Sequence, residues 1–189
     1  MIGKPQTGSS QNSAKTRESI FRAFLQLLFD RRYDNIRTID LINEAGIGRS
    51  TFYEHFRSKD DVLLATFDPV LLPLANAASG RASRAALRMM LEHVWERRAL
   101  GRIILDSSAA PKLRRKLAAL IEQRLAVEQG DSLSLALPAA AAAAGQLTIL
   151  RMWVAGELSC KIDDLAHQLM AFAHLPVQSR DRQSGAKRN

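Results

Sequence analysis

The residues whose types and spacing suit chemistry lie together between Arg37 and Lys59. Arg49, Ser50, Tyr53 and Glu54 fall on one side of a short helical stretch, because Phe52 and Phe56, four apart, share the inward side. A guanidinium, a hydroxyl and a phenol presented this way suit hydrogen bonding to base edges and phosphates. Arg49 can bond guanine O6 and N7 bidentately, or it can hold a phosphate. The Tyr53 hydroxyl suits a phosphate, and its ring equally suits covering the edge of a domain core. Glu54 repels phosphates, so it either accepts from a cytosine amino group or lies to the side. His55 follows Phe52 by three residues and is partly turned inward, open to packing against backbone or to phosphate contact. Lys59 opens a helix, where free backbone N–H groups already favour an anion, and Asp60 and Asp61 offset part of that attraction.

Bond-making chemistry finds little support. Ser107, Ser108, His93 and Asp106 are polar and close in sequence, but no Gly-x-Ser-x-Gly elbow surrounds them, and no glycine-rich phosphate loop occurs. The single Cys160 and the scattered histidines show no metal-ligand spacing. No catalytic residue, metal or cofactor is expected, and the chain is read as a non-enzyme. The alternatives are an enzyme, or a general DNA-coating protein, that carries a similar helical bundle.

The elements that must position these side chains follow from hydrophobic spacing. Ile20, Ala23, Phe24, Leu27 and Leu28 form one stripe and predict a first helix from about Ala14 to Arg31. A short second helix, Thr38 to Ala45, precedes the turn Gly46-Ile47-Gly48, and a third runs from Arg49 to Phe56. Glycine permits the left-handed backbone that such a turn needs. Two short helices joined by a tight turn, the second polar on its outer face, make a helix-turn-helix, with Gly48 as the N-cap of the reading helix. Ser58 caps a fourth helix, with Asp61 reaching back as in a capping box. Pro69 and Pro73 end or kink that helix, and Gly80 marks a break. Farther on, helices are predicted over Arg81–Leu100, Leu113–Gly130, Pro138–Ala155 and Asp163–Ala173, with an interruption at Gly101 and a loop from Asp106 to Pro111.

Charge supports an acidic partner without locating it. The chain of 189 residues carries a net charge of +8. Residues 1–67 hold 10 Lys/Arg against 8 Asp/Glu, whereas residues 80–130 hold 11 against 5, so the surplus lies mostly outside the reading helix. The Arg97, Arg98, Arg102 and Lys112, Arg114, Arg115, Lys116 clusters read as solvated faces, with an anionic ligand as the alternative. One cysteine, no apolar leader in Met1 to Ser13 and no apolar run of about 18–20 residues predict a cytoplasmic protein without a membrane span.

The stretch Ala45-Gly46-Ile47-Gly48-Arg49-Ser50-Thr51-Phe52-Tyr53-Glu54-His55-Phe56, followed by Ser58-Lys59-Asp60, resembles the TetR/AcrR family of repressors. The resemblance covers about Ser13 to Ala65. Many members have Ser where this chain has Gly48, Gly where it has Ser50, and Ser or Thr where it has Arg37. Carried over, it implies that Arg49, Ser50, Thr51 and Tyr53 face an operator and that Tyr53, His55 and Lys59 grip phosphates. Arg37 and Thr38 would meet the neighbouring strand.

The expected fold is all-α: an N-terminal three-helix helix-turn-helix domain over 14–67 and a C-terminal helical ligand-binding and dimerisation domain over 68–176. Tails at 1–13 and 177–189 are expected to be disordered. Met90, His93, Val94 and Trp153, with Met89 and Trp95 nearby, are the candidate pocket residues, and each equally suits plain core. Leu147, Leu150 and Val154 with Leu165 and Leu169 are the candidate half of a four-helix dimer interface, or else internal packing. The resemblance implies a homodimer on a palindromic double-stranded operator. It also implies a small-molecule effector whose binding changes the spacing of the two reading helices through the fourth helix, with repression as the outcome and activation, as in some members, as the alternative.

Overall fold

The computed structural model describes residues 7–129 and 135–174. These form ten α-helices and two short 3-10 turns. Helix α1 (Thr7–Asp30) starts seven residues before Ala14, so part of the expected N-terminal tail is helical. Residues 1–6 and the basic stretch 177–189 lie outside the described residues. The stripe Ile20, Phe24, Leu27 and Leu28 is at most 4% exposed and packs on the helices that follow.

A 3-10 turn (Tyr33–Asn35) leads to α2 (Thr38–Ala45), α3 (Arg49–His55) and α4 (Lys59–Thr66). Phe56 follows α3 as its C-cap rather than extending it. Ser58 accepts from the Asp61 N–H at 3.2 Å, whereas Asp61 itself reaches back to the Arg57 N–H at 3.0 Å, one residue beyond the usual capping box.

The chain breaks at Phe67, and α5 (Asp68–Ala78) leaves at 58° to α4. Pro69 lies in the first turn of α5, where a missing N–H costs nothing. Pro73 sits inside α5 and does not end it. No single described helix is long and apolar enough to cross a membrane. The bent pair α4 and α5 would pass together by length and composition only, and Leu63, Leu71 and Leu74 are no more than 1% exposed within the protein.

Helix α5 is packed on by α6 (Arg84–Glu96), α8 (Ala110–Gln129), α9 (Ala136–Ala155) and α10 (Ile162–Ala171). Ser83 caps α6 by accepting from the Ala86 N–H at 3.0 Å. Helix α7 (Arg98–Leu105) runs straight through Gly101, where a break was expected. A Cβ there would lie 3.6 Å from Val154, so the missing side chain lets α7 and α9 approach closely. Gly145 of α9 serves Phe172 in the same way, since a side chain at 145 would overlap its ring.

Candidate nucleic-acid interface

The turn between α2 and α3 depends on Gly46, whose φ of +64° is left-handed. Nothing lies within 4 Å of a Cβ built there, so backbone conformation rather than space demands glycine. The Ile47 N–H closes the end of α2 on the Ile42 carbonyl at 3.3 Å, six residues spanned as in a Schellman cap. Gly48 is extended (φ −74°, ψ 156°) and starts α3.

Phe52 and Phe56 anchor α3, at 0% and 5% exposure. Their rings are 6.2 Å apart, Phe56 packs 5.7 Å from Phe21, and the Arg17 guanidinium lies 4.7 Å over Phe56. With that side fixed inward, Arg49, Ser50, Tyr53 and Glu54 are exposed, Tyr53 by 57%. Thr51 and His55 are half-buried beside them. At the start of α2 the Arg37 side chain is exposed and Thr38 half-buried. Asp40 accepts the Arg37 N–H at 2.8 Å and the guanidinium at 3.4 Å, and these bonds hold its carboxyl below the usual range.

Lys59 is placed differently from the expectation that it grips a phosphate. Its ammonium donates to the carbonyls of Tyr33 at 2.8 Å and Ile36 at 2.7 Å, and stands 4.4 Å from the Tyr33 ring centre. Two of its three donors tie α4 to the loop before α2, and burial lowers its pKa from the ordinary lysine value.

The first two turns of α8 meet the helix-turn-helix bundle along one face. Ser108, just before α8, donates to Asp34, Lys112 donates to Asp60 at 2.6 Å, and Lys116 donates to the Leu64 carbonyl at 3.1 Å and to Asp68 at the start of α5. Asp60 also accepts from the Tyr33 hydroxyl. Lys112 and Lys116 are therefore structural cations, not the solvated face their sequence suggested. Their spacing with Ser108, i, i+4, i+8, was the available signal, but the acids they meet are 48 or more residues away.

A cavity of about 130 Å³ opens where this junction meets the C-terminal helices. Leu25 of α1 and Thr66 and Phe67 at the α4–α5 bend form its end nearest the bundle. Val94 of α6, Leu113 of α8 and Leu147 and Leu150 of α9 are among its apolar walls, and His93 and Arg97 supply polar groups. Of the four expected lining residues, His93 and Val94 face it. Met90, one turn earlier on α6, packs into the core at 7% exposure. Trp153 leaves the cavity for Trp95, ring centres 4.8 Å apart, beside a separate groove near Cys160. Leu25 and Phe67 carry no sequence signal for the cavity, because only packing of separate helices joins them to Arg97, which the sequence offers only as part of a basic cluster.

The expected dimer ridge is internal. Leu147, Leu150, Val154, Leu165 and Leu169 are at most 8% exposed within one protomer. Helices α5, α7 and α8 cover that side of α9, leaving Leu137 (79% exposed), Ala140, Ala141 and Thr148 on its outer face. Ser107 and Ser108 are engaged by the Ile104 carbonyl and by Asp34, and His93 by Arg97. Among the described residues no group of three His, Cys, Asp or Glu could hold a metal.

Residues 20–66 match the sequence family "Bacterial regulatory proteins, tetR family". The chain is 47% identical over 49 residues to "Uncharacterized HTH-type transcriptional regulator YwcC" of Bacillus subtilis, spanning 26% of this chain and 22% of that protein. It is 39% identical over 64 residues to "HTH-type transcriptional regulator EthR" of Mycolicibacterium smegmatis, spanning 33% and 30%. The match thus spans less than a third of either relative's length. The whole fold is similar to a TetR transcriptional regulator from Streptococcus agalactiae, with TM-score 0.54 and 22% identity over 89% of this chain and 99% of that one. It is also similar to a putative TetR-family regulator from Syntrophomonas wolfei, with TM-score 0.55 and 16% identity over 85% and 93%. Residues 20–66, which hold the helix-turn-helix, are the part of the chain that is similar to the tetR family of bacterial regulatory proteins.

Proposed function

We propose that the chain is a sequence-specific DNA-binding transcription regulator, a repressor released from its operator by a small molecule. The observation that carries this reading is the polar outer face of α3. It presents Arg49, Ser50 and Tyr53 just after a glycine turn, in a segment matching the tetR family. In this reading Arg49, Ser50 and Thr51 meet base edges, and Tyr53, His55, Arg37 and Thr38 hold phosphates on either side. Lys59 acts indirectly, by fixing α4 to the loop before α2. The DNA-binding domain ends at the Phe67 bend.

The regulator works as a homodimer on a palindromic operator, with reading helices about 34–36 Å apart. The outer faces of α8 and α9 are the proposed contact with the second copy. Val127 and Leu137 are 74% and 79% exposed there, and small side chains at Ala140, Ala141 and Ala144 allow close helix approach. The effector occupies the cavity between Leu25, the Phe67 bend and α9, and favours a conformer whose readers no longer match the operator spacing. No catalytic role is assigned, and a cytoplasmic setting goes with access to DNA.

Selection of bound sequences from a random duplex library tests this. An enriched inverted repeat, bound at least about 10³-fold tighter than scrambled DNA, is expected. Equal, salt-sensitive binding to all duplexes would overturn operator recognition in favour of a DNA-coating role.

A further inference from the structure

We infer that the cavity takes a compact monocarboxylate, an apolar body of about ten non-hydrogen atoms with one anionic group held by Arg97. The inference rests on the effector reading above and specifies its ligand. Size comes first. About 130 Å³ gives room for about ten water-sized groups at roughly 10–15 Å³ each. The walls are leucine, valine and phenylalanine from six helices, so the bulk of the ligand is apolar.

Charge decides the rest. Among the described lining residues Arg97 carries the formal charge, and none is Asp or Glu. A cation would enter an apolar space whose lining holds a half-exposed guanidinium and no carboxylate, at a desolvation cost that nothing in the lining offsets. An anion meets the opposite situation. Arg97 Nη1 lies 2.9 Å from His93 Nδ1, one turn back on α6. That ring nitrogen accepts from the guanidinium, Glu96 pairs with the same Nη1, and the Nε and Nη2 donors are left for planar carboxylate recognition. The exposed Glu96 stands 3.7 Å from the same Nη1 and is not part of the lining. Thr66 adds a hydroxyl at the α4–α5 bend, but it already donates to the Val62 carbonyl at 2.7 Å. The anionic anchor is therefore at the α6 end, and the apolar body points toward Leu25 and Phe67, where it bears on the DNA-binding bundle.

Calorimetric titration of the full chain with octanoate and 3-phenylpropanoate, each paired with its alcohol, and with octylammonium tests this. Both carboxylates have the stated size. At least one is expected to bind ten or more times tighter than its alcohol, with octylammonium weakest. Arg97→Gln is expected to remove the tenfold preference and to leave alcohol binding unchanged. Arg98→Gln, outside the cavity, keeps the preference. Equal affinity for acid and alcohol in both pairs, tighter binding of octylammonium, or a preference that survives Arg97→Gln would overturn the inference. Operator binding is followed in the same samples. A carboxylate that binds without releasing operator DNA overturns the effector role but leaves the ligand class standing. A protein that binds its operator but prefers the alcohols loses the ligand class and remains a regulator.

Discussion

Lys112 on α8 donates to Asp60 in the first turn of α4 at 2.6 Å, joining two elements 52 residues apart in the chain. The same ammonium lies 5.1 Å from the Tyr33 ring centre, and the Tyr33 hydroxyl donates to the same carboxylate. Three groups thus close one junction between the bundle and the C-terminal helices. Both charged partners are partly exposed, at 28% and 40%, so the ion pair is screened and worth about 1 kcal/mol or less. Lys112→Met is expected to lower the melting temperature by roughly 2–4 °C. It should also alter operator affinity, because the bundle's orientation on α8 is loosened. Unchanged melting and unchanged affinity together would show that the contact holds nothing.

The acid side of the stability profile follows from the same carboxylate. Burial raises the Asp60 pKa, but hydrogen bonds from Lys112 and Tyr33 and the two nearby lysine charges outweigh it, so the net shift is downward. A carboxyl with a folded pKa below its unfolded value contributes stability above about pH 4, and loses it as pH falls through the folded value. Asp40, lowered chiefly by the Arg37 N–H, acts in the same direction. Denaturant midpoints should therefore be insensitive to these groups between pH 6 and 8 and fall below about pH 4. Asp60→Asn should flatten that fall, and an unchanged acid slope would contradict the assignment.

Arg49 and Lys59 should separate cleanly. Arg49→Ala is expected to cost about 1–3 kcal/mol of operator binding and to relax preference at one base position. Selection repeated with the variant reads this directly. A uniform loss across all positions would make Arg49 a phosphate contact.

Lys59→Met should act on stability instead. Its ammonium satisfies two backbone carbonyls, at 2.8 and 2.7 Å, and removing it costs about 1–3 kcal/mol in folding. The salt slope of DNA binding should stay the same. A slope reduced by about one unit, without loss of stability, would return Lys59 to the phosphate-contacting set.

The dimer proposal predicts opposite results for two positions on α9. Ala141→Arg, on the exposed face, should give folded monomers in sedimentation. Leu150→Arg buries a charge at a site 2% exposed and should unfold the chain. Folded Ala141→Arg dimers would place the contact elsewhere.

The sequence by itself determined the reading unit, because its signals are local. Gly46 and Gly48 define the turn, Phe52 and Phe56 choose the inward side of α3, and Ser58 starts α4, all within thirteen residues. Helical period and one glycine backbone conformation are enough to expose Arg49 and Tyr53. The cavity, the junction and the free face of α9 could be decided only by tertiary structure. Leu147, Leu150 and Val154 form an apolar ridge whether a second copy or the same chain covers it, and helical period is identical in both cases. Packing of α5, α7 and α8 on that ridge turned it inward and gave Leu147 and Leu150 to the cavity wall. Likewise Lys112 looks solvated in any reading of its own helix, and becomes structural only when the fold brings Asp60 within 2.6 Å.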